Sequence, residues 1–383
     1  MKRRDYLIAT LSAAAMLPVM RLSANQAANQ AVATPSTYGY DAEKVKEALE
    51  VQRSTVVVDG LSGAALTEDY LKMLKQGGVD CIQGSVGGMA SFANLLAFCD
   101  QHPDKIVQAG TVREIRQARE QGKLAHVSGW QSADPLLGDA GAGALNVPPV
   151  SNLRVYRELG LRVASIVYNN PNIFGGGCID PEIPLTRQGQ RYVEEIHKQR
   201  LVLDVGGHTG DRTSFDALAI SKGVPVICSH ANARALMDNP RNIPDNLAEA
   251  IAKTGGVIGL TSVSDFHTRS RNDADVPHSP QATLDMLLDH FDYLKKLVGI
   301  DHVAIATDFM TGRTDLDSLG MIRELWPEHL YSEQPWNMVK DFETITELPK
   351  LTQGLLDRGW SAPEVRKVLG ENWLRVFEKV WGA

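Results

Sequence analysis

The stretches that decide the fold are LVLDVGGHTG at Leu201–Gly210 and VPVICSHANAR at Val224–Arg234. In each, an apolar run rich in β-branched residues leads to a histidine, His208 in the first and His230 in the second. Neither run alternates polar and apolar residues, which is typical of strands buried on both faces of a parallel sheet. Histidines that follow such strands lie at one edge of the sheet, where metals and substrates bind.

Similar apolar runs alternate with amphipathic helical segments along most of the chain. We expect strands at Thr55–Asp59, Val79–Gln83, Leu124–Gly129, Arg162–Val167, Leu201–Val205, Val224–Ser229, Gly256–Thr261 and Val303–Thr307. A further run at Lys105–Ala109 is either a ninth strand or an insertion. About eight strand–helix repeats predict an α/β protein with a closed (β/α)8 TIM barrel. The last helical segment, from Ser361 to Trp381, is expected on the outside of this barrel.

The net charge of the chain limits its partners, and its N-terminal residues indicate its cellular location. The 383-residue chain has a formal net charge of -7, which argues against nucleic acid or an anionic membrane surface as a partner. Arg3 and Arg4 precede a short, alanine-rich apolar stretch, as in a twin-arginine export signal. We therefore expect a signal over residues 1–33, a linker over 34–50 and one barrel domain with a C-terminal helix over 51–383. Export by the twin-arginine translocase would place the protein in the periplasm, and the alternative is an N-terminal membrane anchor.

The residues that follow the predicted strands are the candidates for chemistry, because barrel enzymes place catalytic groups there. His208 follows the fifth main strand, His230 follows the sixth, and Asp308 follows the last. Two imidazoles can hold a divalent ion while a carboxylate takes a proton from a bound water molecule. The pattern therefore predicts a metal-dependent hydrolase.

Several motifs together resemble the membrane (renal) dipeptidase family of zinc peptidases. They include LVLDVGGHTGDRT, VPVICSHANARAL, PRNIPDNL and LVGIDHVAIATDF, and the resemblance runs from Thr55 to Trp381. It implies a barrel of the metal-dependent amidohydrolase type, two zinc ions and hydrolysis of dipeptides. Carried over position by position, it implies that His208 and His230 bind zinc and that Asp308 shuttles a proton. It also implies that Arg241 grips the substrate carboxylate, which suits the planar fork of a guanidinium.

The sequence departs from the family pattern at three strand ends. Where the family has the ligands His-x-Asp after the first strand, this chain has Leu61–Gly63. Gln131 stands in place of the glutamate that bridges the two zinc ions, and Tyr168 in place of a catalytic histidine. A neutral amide lacks the negative charge that holds two dications together. We therefore expect at most one zinc, held by the two histidines with help from Asp308, Gln131 or water.

Three functional hypotheses follow. The first is a hydrolase with one zinc that cleaves a dipeptide or a small N-acyl amino acid. Asp308 would act as general base, Tyr168 would stabilise the oxyanion, and Arg241, Gln131 and Asn169 would contact the substrate. The second is a metal-independent isomerase or lyase that uses Asp308 and Tyr168 for acid–base chemistry. The third is a non-catalytic binding protein for a small anionic ligand. A homodimer is a further candidate assembly.

Overall fold

The computed structural model describes residues 42–138, 150–268, 281–311 and 338–382. The predicted export signal lies outside these residues, so export and periplasmic location stay predictions. The predicted linker is helical where it is described, since helix α1 spans Ala42–Arg53. This helix buries Ala48 and Val51 in the core, which is why a segment that reads as polar is ordered. The linker prediction is therefore wrong for residues 42–50.

Strands and helices alternate along the described residues. The strands are β1 (Val58–Ser62), β2 (Cys81–Ser85), β3 (Ile106–Gln108), β4 (Leu124–Trp130), β5 (Leu161–Ser165), β6 (Val202–Asp204), β7 (Val226–Ile227), β8 (Ile258–Leu260) and β9 (Val303–Ile305). The helices after α1 are α2 (Glu68–Gly77), α3 (Met89–Gln101), α4 (Val112–Glu120), α5 (Pro135–Gly138), α6 (Leu153–Glu158), α7 (Arg187–Lys198), α8 (Asp211–Ser221), α9 (Asp245–Lys253), α10 (Leu284–Val298), α11 (Leu348–Asp357), α12 (Ala362–Arg366) and α13 (Asn372–Trp381). Every predicted strand is present, most of them shorter than expected.

Eight of the strands close into a barrel. One sheet has the parallel order β1-β2-β4-β5-β6-β7, and β8 pairs in parallel with β9. A parallel bridge between Cys228 and Ile258 joins β7 to β8. At the other seam the Asp308 amide donates to the carbonyl of Leu61 at 2.9 Å, which joins β9 to β1. The predicted (β/α)8 barrel is confirmed.

Strand β3 is the ninth strand that the run at Lys105–Ala109 predicted. It pairs in parallel with the first part of β4, from Leu124 to His126. The last part of β4, from Ser128 to Trp130, pairs with β5 instead. Because β4 is long, one of its edges pairs first with β3 and then with β5. Strand β3 therefore pairs with β4 but is not one of the eight strands of the barrel.

The last helix closes the end of the barrel opposite the predicted site. One buried cluster combines residues of α13 with apolar residues from the strands: Val58, Cys81, Ala125, Val127, Val163, Val202, Ile227, Val257, Ala304, Trp373, Phe377 and Trp381. The Trp381 indole donates to the carbonyl of Arg162, at the start of β5. A Cβ on Gly60 of β1 would lie 2.2 Å from the Trp373 ring, so glycine permits this close packing. The expectation of a helix outside the barrel is wrong, because its tryptophans complete the interior.

The described residues contain no disulfide and no helix that is long and apolar enough to span a membrane. All four cysteines are free, and Cys81, Cys178 and Cys228 are buried. These three cysteines pack in the interior as small apolar residues.

Candidate metal and substrate site

The two predicted ligands meet at the carboxyl ends of β6 and β7. His208 and His230 are 2% and 1% exposed, and their Nε2 atoms lie 3.1 Å apart. The Oε1 atom of Gln131, which follows β4, lies 2.9 Å from Nε2 of His208. Nε2 of His208 therefore lies within hydrogen-bonding distance of side chains from two other strand ends.

The proton of His208 is fixed by the partner on its other side. Nδ1 of His208 lies 2.7 Å from Oδ1 of Asn169. The thiol of Cys178 also donates to this oxygen, at 3.3 Å. A neutral imidazole has one ring hydrogen, and the oxygens of Asn169 and Gln131 each lie where they can accept it. We assign it to Nδ1, because Asn169 Oδ1 is the nearer oxygen and already accepts from Cys178, so Nε2 carries the lone pair. Asn169 is fully buried behind the imidazole. The amide oxygen of Asn169 therefore contacts His208, and the predicted contact of this residue with substrate stays a prediction.

The proton of His230 is fixed by a chain of two residues. Both oxygens of Asp204 are acceptors: Oδ1 receives the backbone amides of Gly206 and Ser229, each at 2.8 Å, and Oδ2 receives the Ser229 hydroxyl at 2.6 Å. The Ser229 hydroxyl therefore donates its only hydrogen to Asp204. It therefore accepts from Nδ1 of His230, at 2.7 Å. Nε2 of His230 then carries no hydrogen and presents a lone pair, as Nε2 of His208 does.

With these assignments, the lone pair on Nε2 of His208 faces two other acceptors, Nε2 of His230 at 3.1 Å and Oε1 of Gln131 at 2.9 Å. Burial and the nearby charge of Arg241 hold the pKa of both imidazoles well below the usual range for histidine, and for His208 the neighbouring His230 adds to this. Both imidazoles are therefore neutral where their Nε2 atoms approach each other. Two nitrogens bound tetrahedrally to one zinc ion lie about 3.3 Å apart, close to the spacing here. The donor set fits a single divalent ion.

Arg241 lies beside the two histidines in the interior. It is 1% exposed, and its guanidinium stacks over the ring of Phe266 at 5.1 Å from the centroid. Its charge contributes to the lowered pKa of both imidazoles, which places it within electrostatic reach of them. A cation in this place suits an anionic group of a bound molecule, so the predicted contact with a substrate carboxylate stays a prediction with geometry in its favour.

Comparison with known proteins identifies the family. The model of the membrane dipeptidase family (peptidase family M19) matches residues 89–328 and 335–382. The chain belongs to the membrane dipeptidase family. Its members are metallopeptidases, which makes this chain a hydrolase of the peptide- and amide-bond class.

Individual relatives support this assignment. The chain is 28% identical over 284 residues to a dipeptidase of Aspergillus oryzae. The aligned region covers 73% of this chain and 57% of that protein. It is 27% identical to an uncharacterized protein of Klebsiella pneumoniae from the pqqA 5' region, over 72% of this chain and 88% of the relative. The chain spans little more than half the length of the fungal dipeptidases that it matches. An amidohydrolase structure from Pseudomonas aeruginosa superimposes with a TM-score of 0.74 and 27% identity, covering 88% of this chain and 99% of that one.

The end of β1 cannot supply the first zinc ligands of the membrane dipeptidase pattern. Leu61 is fully buried, and the Ser62 hydroxyl lies 2.8 Å from the hydroxyl of Tyr70. Gly63 carries no side chain and packs against Met310. The described residues contain no group of three or more His, Cys, Asp and Glu side chains that could hold a metal ion. The described residues therefore do not fit the two-zinc pattern of the family, and the side-chain oxygen found beside the histidine nitrogens is that of the Gln131 amide.

The two predicted catalytic residues lie at the same end of the barrel. The Tyr168 ring stacks on His208, with 3.8 Å between centroids and 25° between planes. Asp308 is half-buried after β9 and has a φ of 58°. A positive φ is uncommon outside glycine, and strained backbone clusters at functional sites. Both positions are compatible with the predicted roles of Tyr168 and Asp308, which stay predictions.

Asp204 and Ser229 were not among the predicted site residues, although the sequence contained a signal for them. An aspartate inside the apolar run LVLDV is costly unless it is hydrogen-bonded, so it should have indicated a buried polar partner. The run VVVDG around Asp59 carries the same signal. Its carboxylate accepts from Thr307, through the backbone amide at 2.7 Å and the hydroxyl at 2.6 Å. Each aspartate therefore clamps the hydroxyl residue that directly precedes a predicted site residue, His230 or Asp308.

Gly207 separates the histidine loop from Arg241, and its replacement tests that packing. It has a φ of 59°, and a Cβ there would lie 1.9 Å from Nη1 of Arg241. We expect Gly207→Ala to lower the free energy of unfolding by about 2 kcal/mol more than Gly223→Ala does, because overpacking adds to backbone strain. Gly223 is the matched control, with a φ of 83° and nothing within 4 Å of an added Cβ. Urea unfolding of both variants measures the difference, and equal losses would contradict the close approach of Arg241.

Proposed function

We propose that this member of the membrane dipeptidase family is a hydrolase with a single metal ion, taken to be zinc. His208 and His230 would hold the ion through Nε2, and Gln131 would hold it through Oε1. The observation that carries the proposal is the approach of Nε2 of His208 to Nε2 of His230 at 3.1 Å and to Oε1 of Gln131 at 2.9 Å, three atoms that are all acceptors under the assigned tautomers. Such an arrangement is unfavourable in a buried site unless a cation occupies it. When bound, zinc polarises a carbonyl and lowers the pKa of water to about 7.

The remaining residues have roles that follow from their places. Asp308 would accept a proton on its carboxylate and pass it to the departing amine. Arg241 would hold the substrate carboxylate through its guanidinium, and the buried setting strengthens such a pair. Tyr168 covers one face of His208 and limits the access of water from that side. We propose that the substrate is a dipeptide or a small N-acyl amino acid, because both combine an amide bond with a carboxylate.

Metal content tests the proposal directly. The full chain is purified without chelator or histidine tag, beside a His208→Ala/His230→Ala variant and a His102→Ala control. We expect about one zinc per chain in the wild type and in the control, and none in the double variant. His102 caps the end of α3 and serves as a histidine outside the site.

Activity separates the proposed function from the two other hypotheses. We expect cleavage of dipeptides or N-acyl amino acids that stops with a chelator and returns with zinc. A protein without metal would contradict the proposal. Turnover that is insensitive to chelators would favour an isomerase or lyase, and ligand binding without turnover would favour a binding protein.

A further inference from the structure

We propose that Asp204 is a positioning residue that sets the tautomer of His230 through Ser229 and thereby makes Nε2 available to the metal. The inference rests on the proposed function, since it concerns the same ion. Asp204 makes no direct hydrogen bond to the histidine. Its carboxylate holds the Ser229 hydroxyl at 2.6 Å, and that hydroxyl lies 2.7 Å from Nδ1 of His230. The effect of Asp204 is thus transmitted by the direction of two hydrogen bonds.

The direction of this chain is determined because each group has only one option. Oδ1 of Asp204 faces two backbone amides, those of Gly206 and Ser229. Among the described residues Oδ2 contacts the Ser229 hydroxyl. Burial raises the pKa of Asp204 to about 6, so at pH 8 the group is a carboxylate with no hydrogen to give. The hydroxyl therefore donates to Asp204 and accepts from His230. Metal-binding histidines generally use their second nitrogen in this way, with a partner that fixes the ring and its tautomer.

An asparagine at position 204 reverses the chain without changing its shape. The two amides that face Oδ1 would repel an NH2 group, so the new amide keeps its oxygen there. Its NH2 group then takes the place of Oδ2 and donates to Ser229. The Ser229 hydroxyl is free to donate to Nδ1 of His230, and the imidazole hydrogen moves to Nε2. That hydrogen points toward Nε2 of His208, 3.1 Å away, and occupies the place of the ion.

The barrel contains a matched control for this change. Asp59 holds Thr307 through the same two contacts, and both carboxylates are buried. The residue after Thr307 is Asp308, which has no tautomer to set. Asp59→Asn therefore alters an equivalent buried carboxylate and leaves the protonation pattern of the two histidines unchanged. Any general effect of neutralising an aspartate inside the barrel appears in both variants.

The experiment measures metal affinity and histidine tautomers in the full chain. Zinc binding to the wild type, Asp204→Asn and Asp59→Asn is titrated against a chromogenic chelator at about pH 8, where carboxylates are generally ionised. We expect affinity to fall about 10- to 100-fold in Asp204→Asn, the range for partners of metal-bound histidines, and to change less than about threefold in Asp59→Asn. Nitrogen NMR of the metal-free proteins is expected to show a hydrogen on Nε2 of His230 only in Asp204→Asn.

The outcomes separate the two proposals. A wild type that binds no zinc refutes the single-metal function itself. A wild type that binds zinc, with an Asp204→Asn variant of equal affinity, overturns the positioning role alone. Equal losses in Asp204→Asn and Asp59→Asn overturn it as well, because the effect would then be general. Ser229→Ala serves as a second variant should Asp204→Asn fold poorly, since it removes the hydroxyl and is expected to weaken zinc binding also.

Discussion

Asp59→Asn is expected to stabilise the protein above pH 7 and to leave its stability at pH 4 nearly unchanged. Burial raises the pKa of Asp59 from 3.8 to about 7, and the neighbouring Asp308 adds to this increase. The folded protein therefore binds this proton more tightly than the unfolded chain does. The stabilisation from the group is complete below pH 4 and is lost as the pH rises to about 7. At about 1.4 kcal/mol per pKa unit, the loss is on the order of 4 kcal/mol.

Asparagine removes this loss because it is neutral at every pH. It can accept from the Thr307 amide and donate to the Thr307 hydroxyl, the two atoms that face Asp59 in the structure. The test is the free energy of unfolding by urea for both proteins, at several pH values from 4 to 8 and with a chelator present. We expect the difference between them to grow with pH. Parallel curves would show that Asp59 is already ionised in the folded protein at pH 4.

The barrel could be predicted from sequence because its strands are apolar and its helices amphipathic, and both patterns are local. The ends of the elements could not. Strand β7 spans only Val226–Ile227, although the apolar run is longer, because Cys228 makes only an isolated bridge to β8. α1 lies in a segment that reads as a linker, and its order comes from packing against distant parts of the chain. Tertiary contacts of this kind leave little trace in a local pattern.

The strand-end positions of the two candidate ligands could be predicted from the sequence, but their hydrogen-bond partners could not. His208 and His230 each follow an apolar run, so their strand ends could be read from the sequence. The partner that orients His230 is Asp204, 25 positions away from Ser229 along the chain. Asn169 was predicted to contact substrate because it follows a strand, and the structure adds a contact of its amide oxygen with Nδ1 of His208 that the sequence did not indicate. Which side of a strand end a side chain faces depends on backbone angles that the sequence did not indicate.

Gln131→Glu is expected to raise zinc affinity by about 100-fold, because it adds a charge where the site now offers a neutral oxygen. The side chain has nearly the same shape. Oε1 of Gln131 lies 2.9 Å from Nε2 of His208. The amide nitrogen of Gln131 donates to the Ser85 hydroxyl at 3.0 Å. In the variant Ser85 can donate to the second carboxylate oxygen instead. The ligand set then becomes two imidazoles and a carboxylate, which is common in catalytic zinc sites.

The measurement is zinc affinity by chelator competition for glutamate, glutamine and methionine at position 131. Methionine is the matched control, since it fills similar space and lacks the oxygen. We expect affinity to decrease in the order glutamate, glutamine, methionine, because the three differ in charge and donor strength at one point. Equal affinity for glutamine and methionine would mean that Gln131 is not a ligand. The ion would then rest on the two histidines and water. The glutamate variant is also expected to bind one ion only, because Leu61 and Gly63 still leave the first zinc position without ligands.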